Sequence, residues 1–239
     1  SSAWEILLLR SFFFFLGVST FLLLIYKKNS FTIIKKAGFV GLLGGFVMSF
    51  SFIAFVFAMM NTSVANVVFI ISTQTMFLAL FGYLYLKENI SLIGLLSIIL
   101  AMAGISIMIS DSISGGTLFG NLVALTIPIS FSILVMIVRK NSNLDLVPAI
   151  WYASIFSVFY SLIMIDSFSF TNNDLLMGFL LGVPQLTFGF ICITIGSRTT
   201  KSVTIGLLML TETIFAPLWV WLFLNEIPPL SVFVGGTII

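Results

Sequence analysis

The chain alternates long apolar runs with short polar breaks. Eight stretches, roughly 7–26, 37–59, 62–86, 91–110, 117–138, 146–165, 175–196 and 202–224, are mostly apolar over about 20 residues. That is the length an α-helix needs to cross a bilayer core of about 30 Å. A ninth run begins near Pro228 and stops about a dozen residues later at Ile239, too short to cross. An outer-membrane barrel would alternate apolar and polar residues over about ten positions instead of running apolar throughout. The expected fold is an all-α polytopic membrane protein. Composition agrees: 60% of the 239 residues are hydrophobic and 8% charged, against about 25% charged in soluble domains. Mean hydropathy is +1.24.

The breaks carry charge in a regular order. Every second one is basic: Lys27, Lys28, Lys35 and Lys36, then Lys87, then Arg139 and Lys140, then Arg198 and Lys201. The breaks between hold Asp111, Asp166, Asp174 and Glu226 and no Lys or Arg. The positive-inside rule puts the basic loops of this multi-pass chain in the cytoplasm. Arg10 lies inside the first run, close to its end, where snorkelling of the long side chain to the interface is expected ahead of the alternative, binding of a substrate anion.

Several chemistries drop out. There is no His and a single Cys, Cys192, so disulfides, Cys/His zinc sites and His-dependent triads are excluded. A net charge of +2 offers no field for nucleic acid. No cofactor motif is present, and no Walker-type loop suggests ATP as the drive. Enzymatic activity is not expected, because convergent acids, bases or metal ligands are missing from the runs.

Self-comparison reveals a repeat. Thr73, Thr75, Phe77, Leu80, Leu84, Leu86 and Glu88 recur 138 residues later as Thr211, Thr213, Phe215, Leu218, Leu222, Leu224 and Glu226. Five spans separate equivalent points, and an odd number inverts the copy. Inverted repeats are a recurrent plan of secondary transporters, with the substrate near the midplane. Residues 1–110 and 117–239 then form the two repeats. The span 117–138 has no partner upstream, the chain opens without Met, and it stops inside an apolar run. It therefore reads as a fragment with about nine helices of a ten-helix parent built from two inverted five-helix repeats, the first helix missing and the last truncated.

The residues that close each repeat resemble a known family. The run Glu212-Thr213-Ile214-Phe215-Ala216-Pro217-Leu218, ending at Leu224-Asn225-Glu226, is similar to the second-repeat signature of the EamA group in the drug/metabolite transporter superfamily. Met76 to Glu88, followed by Ser97 and Gly104, resembles the first-repeat version. Thr75 and Thr213 stand where the family often has Pro, and Asn225 where it often has Gly. The resemblance implies a ten-helix inner-membrane carrier of amino acids, nucleosides, sugars or other solutes, often exported.

Glu212 is the sharpest candidate for function. It lies about ten residues into its run, roughly 15 Å deep at 1.5 Å per residue. A charged acid there costs about 2.5–3.5 kcal/mol on insertion scales, so it must face a cavity, find a partner or be protonated. Proton coupling and helix-to-helix hydrogen bonding both fit. Around it runs a stripe: Asn66, Thr73 and Gln74 match Thr204, Thr211 and Glu212 in spacing. The two sets lie on helix faces that would line one polar path, although threonine hydroxyls often bond only the preceding turn. Gln185 sits beside Pro184, which removes a backbone donor and should kink its helix; Pro128 invites the same. Trp151, Tyr152, Tyr160, Trp219 and Trp221 suit a planar substrate or an interfacial belt. Glu88 and Glu226 read as loop-facing acids at helix ends. Gly41, Gly45, Gly178 and Gly182 should let helices approach closely.

The expected function is a secondary transporter, an exporter of a small metabolite working by alternating access. A multidrug-type exporter and a non-transporting membrane scaffold are the alternatives. Expected partners are membrane lipid and the small-molecule substrate, with a homodimer left open.

Overall fold

In the computed structural model, which describes residues 3–109, 117–165, 168, 170–224 and 229–239, all regular structure among the described residues is helical. The helices are α1 (Ala3–Tyr26), α2 (Ser30–Asn61), α3 (Val64–Ser72), α4 (Gln74–Leu86), α5 (Leu92–Ile109), α6 (Leu118–Lys140), α7 (Val147–Met164), α8 (Asn172–Leu180), α9 (Phe188–Gly196), α10 (Ser202–Leu224) and α11 (Leu230–Ile238). Six stretches are long and apolar enough to cross a membrane, and the first, Ala3–Asn61, holds two of the expected spans. Leu92–Met108 is a shorter apolar helix. The chain is an all-α, multi-pass membrane protein. Asp111, Asp166, Asn225, Glu226 and Pro228, used in the sequence argument, lie outside the described residues.

Where the helices start and break follows from local chemistry. A 3₁₀ turn at Lys27–Asn29, with Lys27 at φ 49°, separates α1 from α2. Gly38, at φ 49° and ψ −140°, kinks α2; glycine alone adopts that backbone without strain. The expected span 62–86 is two helices, α3 and α4, meeting at Thr73. Ser63 caps α3 by accepting the Asn66 N–H at 3.2 Å. Thr171 and Asp174 form a reciprocal capping box at the start of α8.

Pro184, expected to kink its helix, lies in a change of helix type. With no N–H to donate, it leaves the chain in a π-helical turn over Leu181–Thr187, between α8 and α9. The Thr187 hydroxyl donates to the Gly182 carbonyl at 2.9 Å across this wide turn. Pro128 does not act alike, since α6 runs as α-helix through it.

The described chain forms two compact units. One comprises Ser1–Val56 and Ile133–Thr199, the other Phe57–Ser132 and Thr200–Ile239. Each unit takes chain from both sequence repeats.

In the first unit α1 packs on α7, α8 and the π-turn. Lipid tails are as apolar as leucine, so association depends on close packing. A Cβ on Gly45 would stand 2.6 Å from the Ala149 carbonyl oxygen, and one on Gly182 2.7 Å from that of Arg10. These glycines let backbones touch, as expected. On α7, Ala149, Ala153, Ser157 and Ser161 make a buried small-residue stripe. The serine hydroxyls return to their own helix, Ser157 to Ala153 O at 2.9 Å and Ser161 to Ser157 O at 2.8 Å. Phe14, Phe52 and Phe190 meet with centroids 5.2–6.0 Å apart.

In the second unit α5 packs on α11, and α4 on α10. Its core gathers Ala101, Ile105, Met108 and Leu210, with Phe69, Leu207 and Val232 against them.

Candidate functional site

Helix α10 sorts its residues by face. Ser202, Ile205, Gly206 and Leu210 are buried, whereas Thr204, Leu208, Thr211, Glu212, Phe215 and Trp219 are exposed. The exposed set follows the three-to-four residue spacing of one helix face. Three of the sequence-derived candidates, Thr204, Thr211 and Glu212, thus share an open stripe. The Thr211 hydroxyl donates to Leu208 O at 2.7 Å, within its own turn. No hydrogen bond or ion pair with a described residue engages the Glu212 carboxylate.

The matching residues of the other repeat are placed differently. Thr73 occupies the break between α3 and α4, and its hydroxyl donates to Ile70 O at 2.6 Å. Gln74, the first residue of α4, is buried at 6% exposure. The next residue, Thr75, reaches α10, donating its hydroxyl to Gly206 O at 3.2 Å. The absence of a side chain at Gly206 permits this, since a Cβ there would lie 2.9 Å from Thr75 Cα.

Asn66 belongs to a hydrogen-bonded group that sequence reasoning missed in part. Thr62 donates to Asn121 Oδ1 at 2.8 Å, and Asn66 Nδ2 donates to Thr62 Oγ1 at 3.2 Å and, more weakly, to Asn121 Oδ1 at 3.5 Å. Thr117 donates to Asn61 O at 2.6 Å beside them. The end of α2, the start of α3 and the start of α6 are thereby joined. Asn121, the lone amide of the apolar run 117–138, was the available signal.

Gln185 is exposed on the π-turn. It lies in the first unit, whereas the other six candidates belong to the second. No described hydrogen bond joins it to them.

Two charged residues differ from expectation or add to it. Arg10 does not snorkel. It is buried at 5% exposure, its Nη2 donates to Phe52 O at 2.9 Å, and its guanidinium carbon stands 5.8 and 5.2 Å from the Phe52 and Phe55 ring centroids. The neighbouring helix covers the route along which the side chain would have extended. Glu88, at a helix end as expected, accepts the Ser202 N–H at 2.9 Å and so caps α10.

The tryptophan candidates make ring and hydrogen-bond contacts within the fold. Trp151 donates to Ser19 Oγ at 2.9 Å and lies against Phe15 and Tyr152. Trp219 stacks on Phe223, and Trp221 meets Phe233 edge-on.

Residues 1–110 match the model of a family described as the EamA-like transporter family. None of the curated proteins matches the sequence. Twenty solved chains do match by fold. One, a crystal structure of a protein, aligns with 100% of this chain and 85% of its own at a TM-score of 0.82 and 14% identity. At that identity the likeness is one of fold alone.

Proposed function

From the match of residues 1–110 to the EamA-like transporter family, we propose that the protein is a secondary transporter of the drug/metabolite transporter superfamily exporting a small metabolite across the inner membrane. The basic loops would face the cytoplasm, and transport would proceed by alternating access. The observation that carries this reading is the open stripe Thr204–Thr211–Glu212 on α10. A scaffold needs no carboxylate there, and lipid would penalise one by about 2.5–3.5 kcal/mol. A polar solute or a proton passing along the stripe gives that cost a purpose. The inverted repeat supports the same reading, since two inverted copies supply the two alternately open states.

The test expresses the protein and Glu212→Gln in cells and profiles metabolites in medium and cytosol at two external pH values. Redistribution of a solute by the wild type and not by the variant supports both the transporter and the role of Glu212. Equal redistribution would keep the transporter and remove Glu212 from its mechanism. None, with protein confirmed in the membrane, would count against transport.

A further inference from the structure

Arg10 poses a chemical problem that the fold leaves open. A guanidinium offers five N–H donors and a fixed positive charge. In α1 it is 5% exposed, about 10 Å along the helix from Ala3. One bond, from Nη2 to Phe52 O at 2.9 Å, is met. Phe52 and Phe55 supply ring faces, which attract a cation without accepting its N–H bonds in the plane. Among the described residues the buried Nε has no hydrogen-bond partner, and no acidic side chain pairs with the guanidinium. Tying α1 to α2 through one carbonyl would require only a neutral donor. A full charge with an open in-plane donor calls for an anionic acceptor.

A second feature coincides with it. The π-turn Leu181–Thr187 is packed on α1 at this level, Gly182 lying against Arg10 O, Phe13 and Phe14. Besides following from Pro184, wide turns of this kind are frequent at functional sites. Thus a buried cation and a helix irregularity meet in the first unit, with Phe52 and Phe55 against the guanidinium.

We infer that Arg10 docks the oxyanion group, a carboxylate or phosphate, of an organic anion that is the transported solute; the identity of Arg10's ligand as the cargo rests on the transporter reading above. The two-oxygen edge of either group fits the guanidinium fork, which lysine cannot reproduce. The aromatic rings beside it exclude water and favour an anion with an organic body over a bare inorganic ion.

Two measurements test this. Purified wild type, Arg10→Lys and Arg10→Gln are heated with sodium succinate, sodium phosphate or, at equal ionic strength, sodium chloride. Expected is a saturable rise of the wild-type midpoint with succinate or phosphate over chloride. The apparent affinity should weaken at least tenfold in Arg10→Lys, with no rise in Arg10→Gln. Should Arg10→Gln fail to fold, the lysine variant carries the comparison, since it keeps the charge and loses the fork. Equal rises in all forms, or none in the wild type, would overturn the site.

In cells, the charge of the exported solutes is then read. Acidic solutes exported by the wild type and reduced at least tenfold in Arg10→Lys support the assignment. Export of neutral or cationic solutes would overturn it and leave the transporter standing. A saturable rise without any export would keep the anion site and overturn the transporter.

Discussion

Glu88 Oε2 and the backbone N–H of Ser202 lie 2.9 Å apart, so the acid that closes the first repeat caps the helix carrying Glu212. The first N–H groups of a helix have no partner within it, and the dipole favours a negative charge there. Glu88→Ala should therefore cost about 1–2 kcal/mol and Glu88→Gln about 0.5–1 kcal/mol. Denaturation of purified protein in mild detergent measures both. An alanine variant as stable as wild type would remove the cap from the account of α10.

The residue before that acid carries strain. Lys87 ends α4 at φ 55°, in the left-handed region that glycine occupies freely. Lys87→Gly should stabilise the protein by up to about 1 kcal/mol. The same denaturation series reads it, and a loss of stability would contradict the backbone assignment.

Glu212 and Gly45 should behave in opposite ways. Glu212 is exposed and engages no described partner, so Glu212→Gln is expected to alter stability by about 0.5 kcal/mol or less. Its effect should appear in transport. Gly45 sits on the Ala149 and Ala153 backbone, and Gly45→Leu should cost about 3 kcal/mol or more by forcing α2 off α7. Size-exclusion profiles combined with the transport assay separate the two results. Aggregation of Glu212→Gln would show that this carboxylate holds the fold.

The Thr62–Asn66–Asn121 group lends itself to a double-mutant cycle. Asn121→Leu and Thr62→Val each remove one side of the 2.8 Å bond. Polar bonds between membrane helices average about 0.6 kcal/mol, so a coupling of about 0.5–1.5 kcal/mol is expected. Strict additivity would mean that the two side chains act separately.

Much of the architecture was legible from apolar run length, because a bilayer demands about 20 residues per span whatever the tertiary contacts. The irregularity at Pro184 was legible too, proline being a local cause. The break at Thr73 was not, since no proline or glycine marks it. Nor does any local pattern report that Thr75, just beyond it, bonds Gly206, 131 positions along the chain. Arg10 illustrates the same limit. Its position near a helix end suggested an interfacial residue, yet burial is decided by α2 and by the π-turn, which no local pattern reports. On α10 the stripe was readable because Thr204, Thr211 and Glu212 share one continuous helix. Across the α3–α4 break the same spacing leads to three different environments.

The composition of the two units also sets an order of assembly during synthesis. Ser1–Val56 enters the membrane long before its partner segment Ile133–Thr199 exists. With translation at ~5–20 residues per second, making 57–132 takes roughly 4–15 s. Over that interval α1 must reside in the bilayer without α7 or the π-turn, its Arg10 sheltered only by residues of α2. The first unit can close once Thr199 has emerged, whereas the second waits for the segment that follows Thr200. Insertases and lipids therefore meet each half-built unit as a client, and a stall between Ser132 and Ile133 would leave the cell's quality control with two incomplete units at once.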